Sequence, residues 1–446
     1  RKIGSRNFAH LPKIIFSAYS TTTLKMAGGL MQLVAYGAQD VYLTGNPEVT
    51  FFQAKYKRHT NFAMENIEQT VNGTAADSGR VSVTVARNGD LVGDMYVELL
   101  SKAGVASISS DTTADLCWVA ERAISSVELS IGGQRVDKHY QKWWRLYSEL
   151  YLDESKKATW GKMTTGTADS TVYLPLVFFF NRNPGLYLPL IALQYHEVRI
   201  DFDLASDFTT YLQTGTFKVW ANYVYLDTEE RRRFAQKGHE YLIEQVQHTG
   251  QDTVTSAQTK QVRLSYNHPV KELVWCFDSG VARTKMWNFT SKGAVGDVIL
   301  ECDPTGIADS NAFISTSVSG APLLKLGTGG TAAADAFTEE VNGPLNTFKL
   351  VLNGQDRFKE QKGKYFNQVQ PHFHHSGSPY AGVYSYSFAL KPEEHQPTGT
   401  CNFSRIDNAQ VAVTMKTTDA LNLNMFAVNY NVLRVQSGMG GLAFSN

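Results

Sequence analysis

The 446-residue chain is short of cysteine, of charge and of long apolar runs. Its four cysteines, Cys117, Cys276, Cys302 and Cys401, lie far apart with no Cys-x-x-Cys pair. That excludes zinc-ribbon spacing and a disulfide-stapled miniprotein, and reads as free thiols in a reducing compartment. The longest apolar runs, such as Leu176 to Phe180 and Leu190 to Leu193, fall far short of a membrane span. Charged residues make up 19%, and 42 Lys plus Arg balance 42 Asp plus Glu. A chain without net charge has no global field to hold a polyanion, which argues against bulk binding to nucleic acid or anionic membranes.

Catalytic motifs are missing as well. His196-Glu197 and His239-Glu240 begin like a zincin, but the residues four past each His are Ile200 and Ile243, so no helix face carries two imidazoles. There is no phosphate-binding Gly-x-x-x-x-Gly-Lys and no Gly-x-Ser-x-Gly. Residues 327–332 fit a loose Gly-x-Gly-x-x-Ala, but so do residues 438–443, too near the end for a helix to follow. His372, His374 and His375 form the one histidine cluster; with no Cys or acid beside it in sequence to complete a tetrahedral set, it reads as a solvated loop. Asp201 and Asp203 share a strand face at ~7 Å by strand rise, a spacing open to paired carboxylate chemistry, though alternation alone demands polar residues there. Arg231-Arg232-Arg233 follows Glu229-Glu230 and reads as self-neutralising. Asn72, Asn288 and Asn402 open glycosylation triplets, which matter only where the chain meets the transferase. No catalytic residue, cofactor or metal site is assigned.

What the chain does have is period-two alternation. Phe52/Ala54/Tyr56, Ile200/Phe202/Leu204, Phe217/Val219/Ala221/Tyr223, Leu273/Trp275/Phe277, Phe348/Leu350/Leu352, Tyr384/Tyr386/Phe388 and Val411/Val413/Met415 each alternate with polar or small residues. Val81/Val83/Val85, Asn88-Gly89 and a run ending Met95/Val97/Leu99 predict a hairpin, and Gly132-Gly133 a second tight turn. Tyr140, Trp143, Trp144, Tyr147, Leu150 and Tyr151 recur at helical spacing and predict a helix over 138–152, its aromatic stripe packed on a sheet. Residues 103–116, 161–171 and 315–336 read as long loops. Residues 1–25 carry Arg1, Lys2, Arg6, Lys13 and Lys25 with no acid and read as a flexible basic arm.

The chain also repeats weakly. Residues 128–134 resemble 349–355; Pro184 and Pro189 answer to Pro392 and Pro397; residues 221–226 resemble 428–433. Three landmarks in one order predict two β domains of one plan, each of about eight strands in ~200 residues, as in a jelly roll. The expected division is an arm over 1–48, a first roll over 49–228 and a second over 229–446.

Longer stretches carry a resemblance. Residues 28–47 followed by Phe51-Phe52, then 87–91, 131–140, 184–197, 353–358, 399–408 and 437–442, closely resemble major capsid proteins of nucleocytoplasmic large DNA viruses, nearest the chlorella-virus type. The likeness runs in order from about Ala27 to Asn446. It implies an all-β double jelly roll with short helices in the connections, and a non-enzymatic homotrimer of pseudo-hexagonal outline tiling an icosahedral shell. The implied partners are neighbouring capsomers, minor capsid and penton proteins, and inner membrane-associated proteins under the N-terminal segment, with no sequence-specific nucleic acid. Assembly in the host cytoplasm and location in the virion follow from the same resemblance. Loops within 278–346 would be exterior, with Asn288 and Asn311 as candidate sugar sites, whereas Asn402 is expected to be buried. Residues 1–25 precede Met26-Ala27-Gly28, where family members normally begin. Two other readings fit the pattern: a carbohydrate-binding or carbohydrate-cleaving β-sandwich, and a minor capsid or spike component.

Overall fold

The computed structural model describes residues 28–102, 118–166, 169–254, 259–278, 343–377, 379, 382–416 and 420–444. The chain divides into two compact units, residues 1–59 and 60–446. In the first, two short helices, α1 (Gly28–Val34) and α2 (Val41–Thr44), precede extended backbone. Leu33, Tyr42, Leu43, Phe51, Phe52 and Tyr56 are all exposed. The alternating Phe52/Ala54/Tyr56 run forms no strand, because alternation makes a strand only where a ladder partner exists.

Among the described residues, the second unit holds eight principal strands in each half. The first half contains β1 (Phe62–Gln69), β2 (Arg80–Thr84), β3 (Leu91–Leu100), β4 (Ile124–Ile131), β5 (Gln134–Tyr140), β6 (Thr171–Pro175), β7 (Val198–Leu204) and β8 (Lys218–Leu226). These pair antiparallel in the orders β1-β8-β3-β6 and β2-β7-β4-β5. The second half contains β9 (His239–Val254), β10 (Lys260–Leu264), β11 (Pro269–Asp278), β12 (Leu345–Leu352), β13 (Gln355–Asp356), β14 (Val383–Ser387), β15 (Ala409–Met415) and β16 (Leu421–Gln436). Its orders are β9-β16-β11-β14 and β10-β15-β12-β13, the first pair of orders with every strand advanced by eight. Two such sheets, fed alternately by the chain, make a jelly roll, and the chain contains two.

Alternation sets the faces. Met95, Val97 and Leu99 of β3 are buried while Tyr96 and Glu98 stay half exposed. Gly132 and Gly133, at φ of 59° and 81°, close the β4–β5 hairpin, and Asn353 and Gly354, at 50° and 78°, close β12–β13. The expected hairpin at Asn88-Gly89 is a crossover instead, since β2 and β3 lie in different sheets. Gly89 is required by close approach: a Cβ there would sit 2.9 Å from Cβ of Tyr223.

The repeat landmarks fall on matching elements. Both tight turns join the fourth and fifth strands of their halves, and residues 221–226 and 428–433 both lie in the eighth. The third landmark is one residue out of face, however. Val219 and Ala427, which both point into their own roll's core, are 208 apart (427 − 219), the separation of Pro184 and Pro392. An offset of 207 would set inward Ala221 against Val428, which leaves the second core for the other face.

Among the helices of the first roll are α3 (Val119–Ala123), α4 (Gln141–Leu150) and α5 (Glu154–Thr164). Helix α4 begins later than the stripe predicts because Lys138 to Tyr140 complete β5. The loop expected over 161–171 is shortened at both ends, by α5 running to Thr164 and by β6 starting at Thr171, whereas 103–116 and 315–336 lie outside the described residues.

Candidate functional site at the junction of the two rolls

The second roll has its own core, in which Trp275 stacks on Phe348 at 4.3 Å. The first roll's core does not stop at its own sheets. It continues across the junction to Ile243, Val246, Val274, Cys276, Val383, Phe426 and Val428, on the outward face of the sheet β9-β16-β11-β14. Helix α4 makes the connection. Its spacing stacks Trp143, Tyr147 and Tyr151 up one side. Trp143 lies 5.7 Å from Phe426, and Tyr140 meets His248 edge-on at 4.9 Å. The apolar contact supplies the stabilisation; the polar groups around it fix the register.

Those polar groups are ionic and buried. The Tyr151 hydroxyl donates to Glu272 at 2.6 Å, and Glu272 also meets Nε2 of His375 at 2.5 Å. The other ring nitrogen of His375 faces Glu393 at 3.3 Å. Burial alone would push the His375 imidazole down, but the Glu272 and Glu393 carboxylates outweigh it and raise its pKa to about 9. Burial first, and then Glu272, pushes the Tyr151 hydroxyl up. Beside this group, Glu244 of β9 takes Arg182 of the first roll at 3.0 Å and Lys271 at 2.6 Å. Burial works against the Glu244 carboxylate, yet these two cations hold it below its ordinary pKa. Asp137 accepts from the Val246 N–H at 3.1 Å, Gln245 donates to the Val136 carbonyl, and Lys142 pairs with Asp278. A further link comes from the strand Met439–Leu442, which pairs with β16 while the Leu442 N–H reaches Gln134 Oε1 of the first roll at 3.2 Å. Buried pairs of this kind add little net stability, but removing one partner strands a charge, so they specify one docking geometry.

The residues singled out by sequence do not converge on a chemical site. Asp203 is held by Arg80 at 2.7 Å and by Ser126 at 2.9 Å, while Asp201 pairs with Arg199 at 2.8 Å. The Arg80 hydrogen bond keeps the Asp203 carboxyl below its ordinary value, the opposite of a general acid. His196 Nδ1 binds the Gly440 backbone at 2.8 Å and His239 Nε2 the Phe234 carbonyl at 2.8 Å, both structural links. The histidine cluster is split: His372 is exposed and His374 half exposed at the end of a helix, while the His375 side chain is fully buried, contrary to the solvated-loop reading. Sequence proximity missed its partners, because Glu272 comes from another strand. Arg232 pairs with Glu229 as expected, but Arg231 reaches Asp90 of the first roll at 2.9 Å. Asn402 is exposed rather than buried, its side chain capping the turn at Ser404. Asn72 is exposed. Asn288 and Asn311 lie outside the described residues, as do Cys117 and Cys302; Cys276 is buried and Cys401 half buried, both as free thiols. Among the described residues no three metal-binding side chains cluster, and no helix is long and apolar enough to cross a membrane.

Two jelly rolls of one topology, joined by a buried junction, define a β protein of the double jelly-roll class. Comparison gives the family. Residues 50–227 match the model for the N-terminus of major capsid proteins, and residues 230–441 that of the large eukaryotic DNA virus major capsid protein. The chain is 45% identical to the major capsid protein of Paramecium bursaria Chlorella virus 1, over 94% of this chain and all of that one. The major capsid protein of Phaeocystis pouchetii virus is 40% identical over the same shares. A capsid structure of the chlorella virus superposes with a TM-score of 0.70 at 40% identity, covering 89% of this chain and all of that one. The Faustovirus major capsid protein shares the fold at a TM-score of 0.67 and 14% identity, over 92% and 96% of the two chains. This chain belongs to the major capsid proteins of large eukaryotic DNA viruses, which are structural components of the shell.

Proposed function

We propose that the chain is the repeating unit of an icosahedral shell, assembled as a homotrimer with a pseudo-hexagonal outline, and that it catalyses no reaction. The observation that carries this reading is the identical strand order of the two rolls. Three copies then offer six rolls of one topology, and six near-equivalent edges tile a flat facet with a single kind of subunit. Residues 49–228 and 229–446 serve as the two rolls. The N-terminal segment, with Leu33, Tyr42 and Leu43 exposed, serves as the contact to neighbouring capsomers, minor capsid proteins and membrane-associated proteins beneath. Assembly takes place in the host cytoplasm, and Asn288 and Asn311 are the sugar sites to map by mass spectrometry of virion peptides.

Light scattering of the purified chain tests the reading. A native mass near three times 49.5 kDa is expected. A mass of one chain under assembly conditions, or particles whose surface shows no hexagonal lattice, would overturn it.

A further inference from the structure

A cavity of about 450 Å³ opens beside the junction, between α4, one side of α5 and residues 175–182 as the chain leaves β6. That is the size of a site for one small molecule. Helical spacing gathers its α5 wall: Ser155, Thr159 and Met163 recur every four residues, with Lys156 and Trp160 alongside. Trp160, Leu176 and Val177 are buried and form an apolar floor. Lys156 and Thr159 are exposed at the mouth, and Arg182 is half buried.

Hydrogen bonding narrows what such a cavity can take. The Trp160 Nε1–H donates to Glu121 at 2.5 Å, and the Thr159 hydroxyl to the Ser155 carbonyl at 3.1 Å. Asn181 accepts from the Phe178 N–H at 3.2 Å and donates to the Gly93 carbonyl at 2.8 Å. The Leu176 N–H already reaches the Met95 carbonyl at 2.9 Å, so no open ladder edge invites a peptide there. Two cations, Lys156 and Arg182, line the space, and no carboxylate does. Arg182 pairs through Nη1 with Glu244 at 3.0 Å, but its Nε is buried and meets no acceptor among the described residues. A buried donor without an acceptor is costly, so the site favours a ligand that brings one.

We propose that this cavity binds a fatty acid, with its carboxylate on Arg182 Nε and its alkyl chain over Trp160, Met163 and Leu176. The carboxylate accepts a charge-assisted hydrogen bond, and Lys156 at the mouth has the matching sign. The alkyl chain asks for no polar partner, and the floor offers none. All of these residues belong to one chain, so the proposal goes beyond the trimeric reading and does not rest on it.

Equilibrium dialysis of the purified chain against labelled laurate, below its micelle concentration, tests it, with dodecanol as the uncharged counterpart. One laurate per chain is expected at saturation. Dodecanol should bind about ten- to a hundredfold more weakly, the worth of a hydrogen bond to a charged group. Thr159→Trp fills the space from an exposed position and should abolish binding of both. Arg182→Lys keeps a cation for Glu244 but removes the Nε donor; it should weaken laurate about tenfold and leave dodecanol unchanged. Near-UV circular dichroism at the wild-type signal checks that each variant is folded. Laurate should also raise the Tm of the wild type and not that of Thr159→Trp, because a ligand of the folded state stabilises by mass action. The comparison of laurate with dodecanol on the wild type needs no variant: equal binding, or uptake that does not saturate near one per chain, would overturn the site. Full laurate binding by folded Thr159→Trp would overturn it too. A chain of single-copy mass that still binds one laurate would overturn the trimeric reading and leave this site standing.

Discussion

At the scale of single residues, the polar group under Tyr151 centres on His375, an imidazole with no side-chain exposure held between Glu272 and Glu393 of its own roll. Its pKa rises from 6.5 to about 9 on folding, so the folded state binds the proton more tightly than the unfolded chain. The stabilisation is therefore complete below pH 6.5 and is lost as pH rises through about 9. Thermal unfolding measured from pH 6 to 10 should show wild-type Tm falling across that window, with His375→Ala lower throughout and flatter. The substitution leaves Glu272 as a buried charge short of its cation, a loss of about 3 kcal/mol. Adding Glu272→Gln should recover part of it, since an amide strands no charge. A His375→Ala profile that keeps the wild-type slope would show that another group carries the pH dependence.

Elements show where local chemistry is sufficient and where it is not. Gly132-Gly133 and Asn353-Gly354 are legible as turns because positive φ is a local demand, met by the residue itself. Asn88-Gly89 carries the same signature yet joins two sheets, because which strand pairs with which is settled by residues over a hundred positions away. The aromatic stripe of α4 was legible as a buried face, but periodicity says nothing of what buries it, and the other roll does. His375 was misplaced for the same reason. The two kinds of glycine respond differently to alanine. Gly133→Ala meets open space but a φ of 81°, and should cost about 1 kcal/mol. Gly89→Ala drives a methyl into the Tyr223 side chain at 2.9 and 3.1 Å, and overpacking there should cost ~1–3 kcal/mol. Urea unfolding of both variants compares them; equal losses would mean that Tyr223 yields without strain.

For the molecule as a whole, the absence of net charge now has a use beyond excluding a polyanion partner. Many copies packed edge to edge can carry little like charge without repulsion, and the few charges present at the junction are paired inside it. The first core's passage across that junction makes a stronger demand. The outward face of the second roll, Val274, Cys276, Val383, Phe426 and Val428, is interior only while the first roll is folded against it. Unfolding the first roll alone would bare that face and take Tyr151 from Glu272 and Arg182 from Glu244, so neither roll should melt first. Calorimetry of the wild type should give a single transition spanning both rolls, at chain concentrations that vary the assembly state. Trp143→Ala removes the side chain that ties α4 to Phe426, a loss of ~3–5 kcal/mol, and should divide the transition in two. Two resolved transitions already present in the wild type would mean that each roll is stable alone, and that the shared core is a contact between domains rather than a condition for folding.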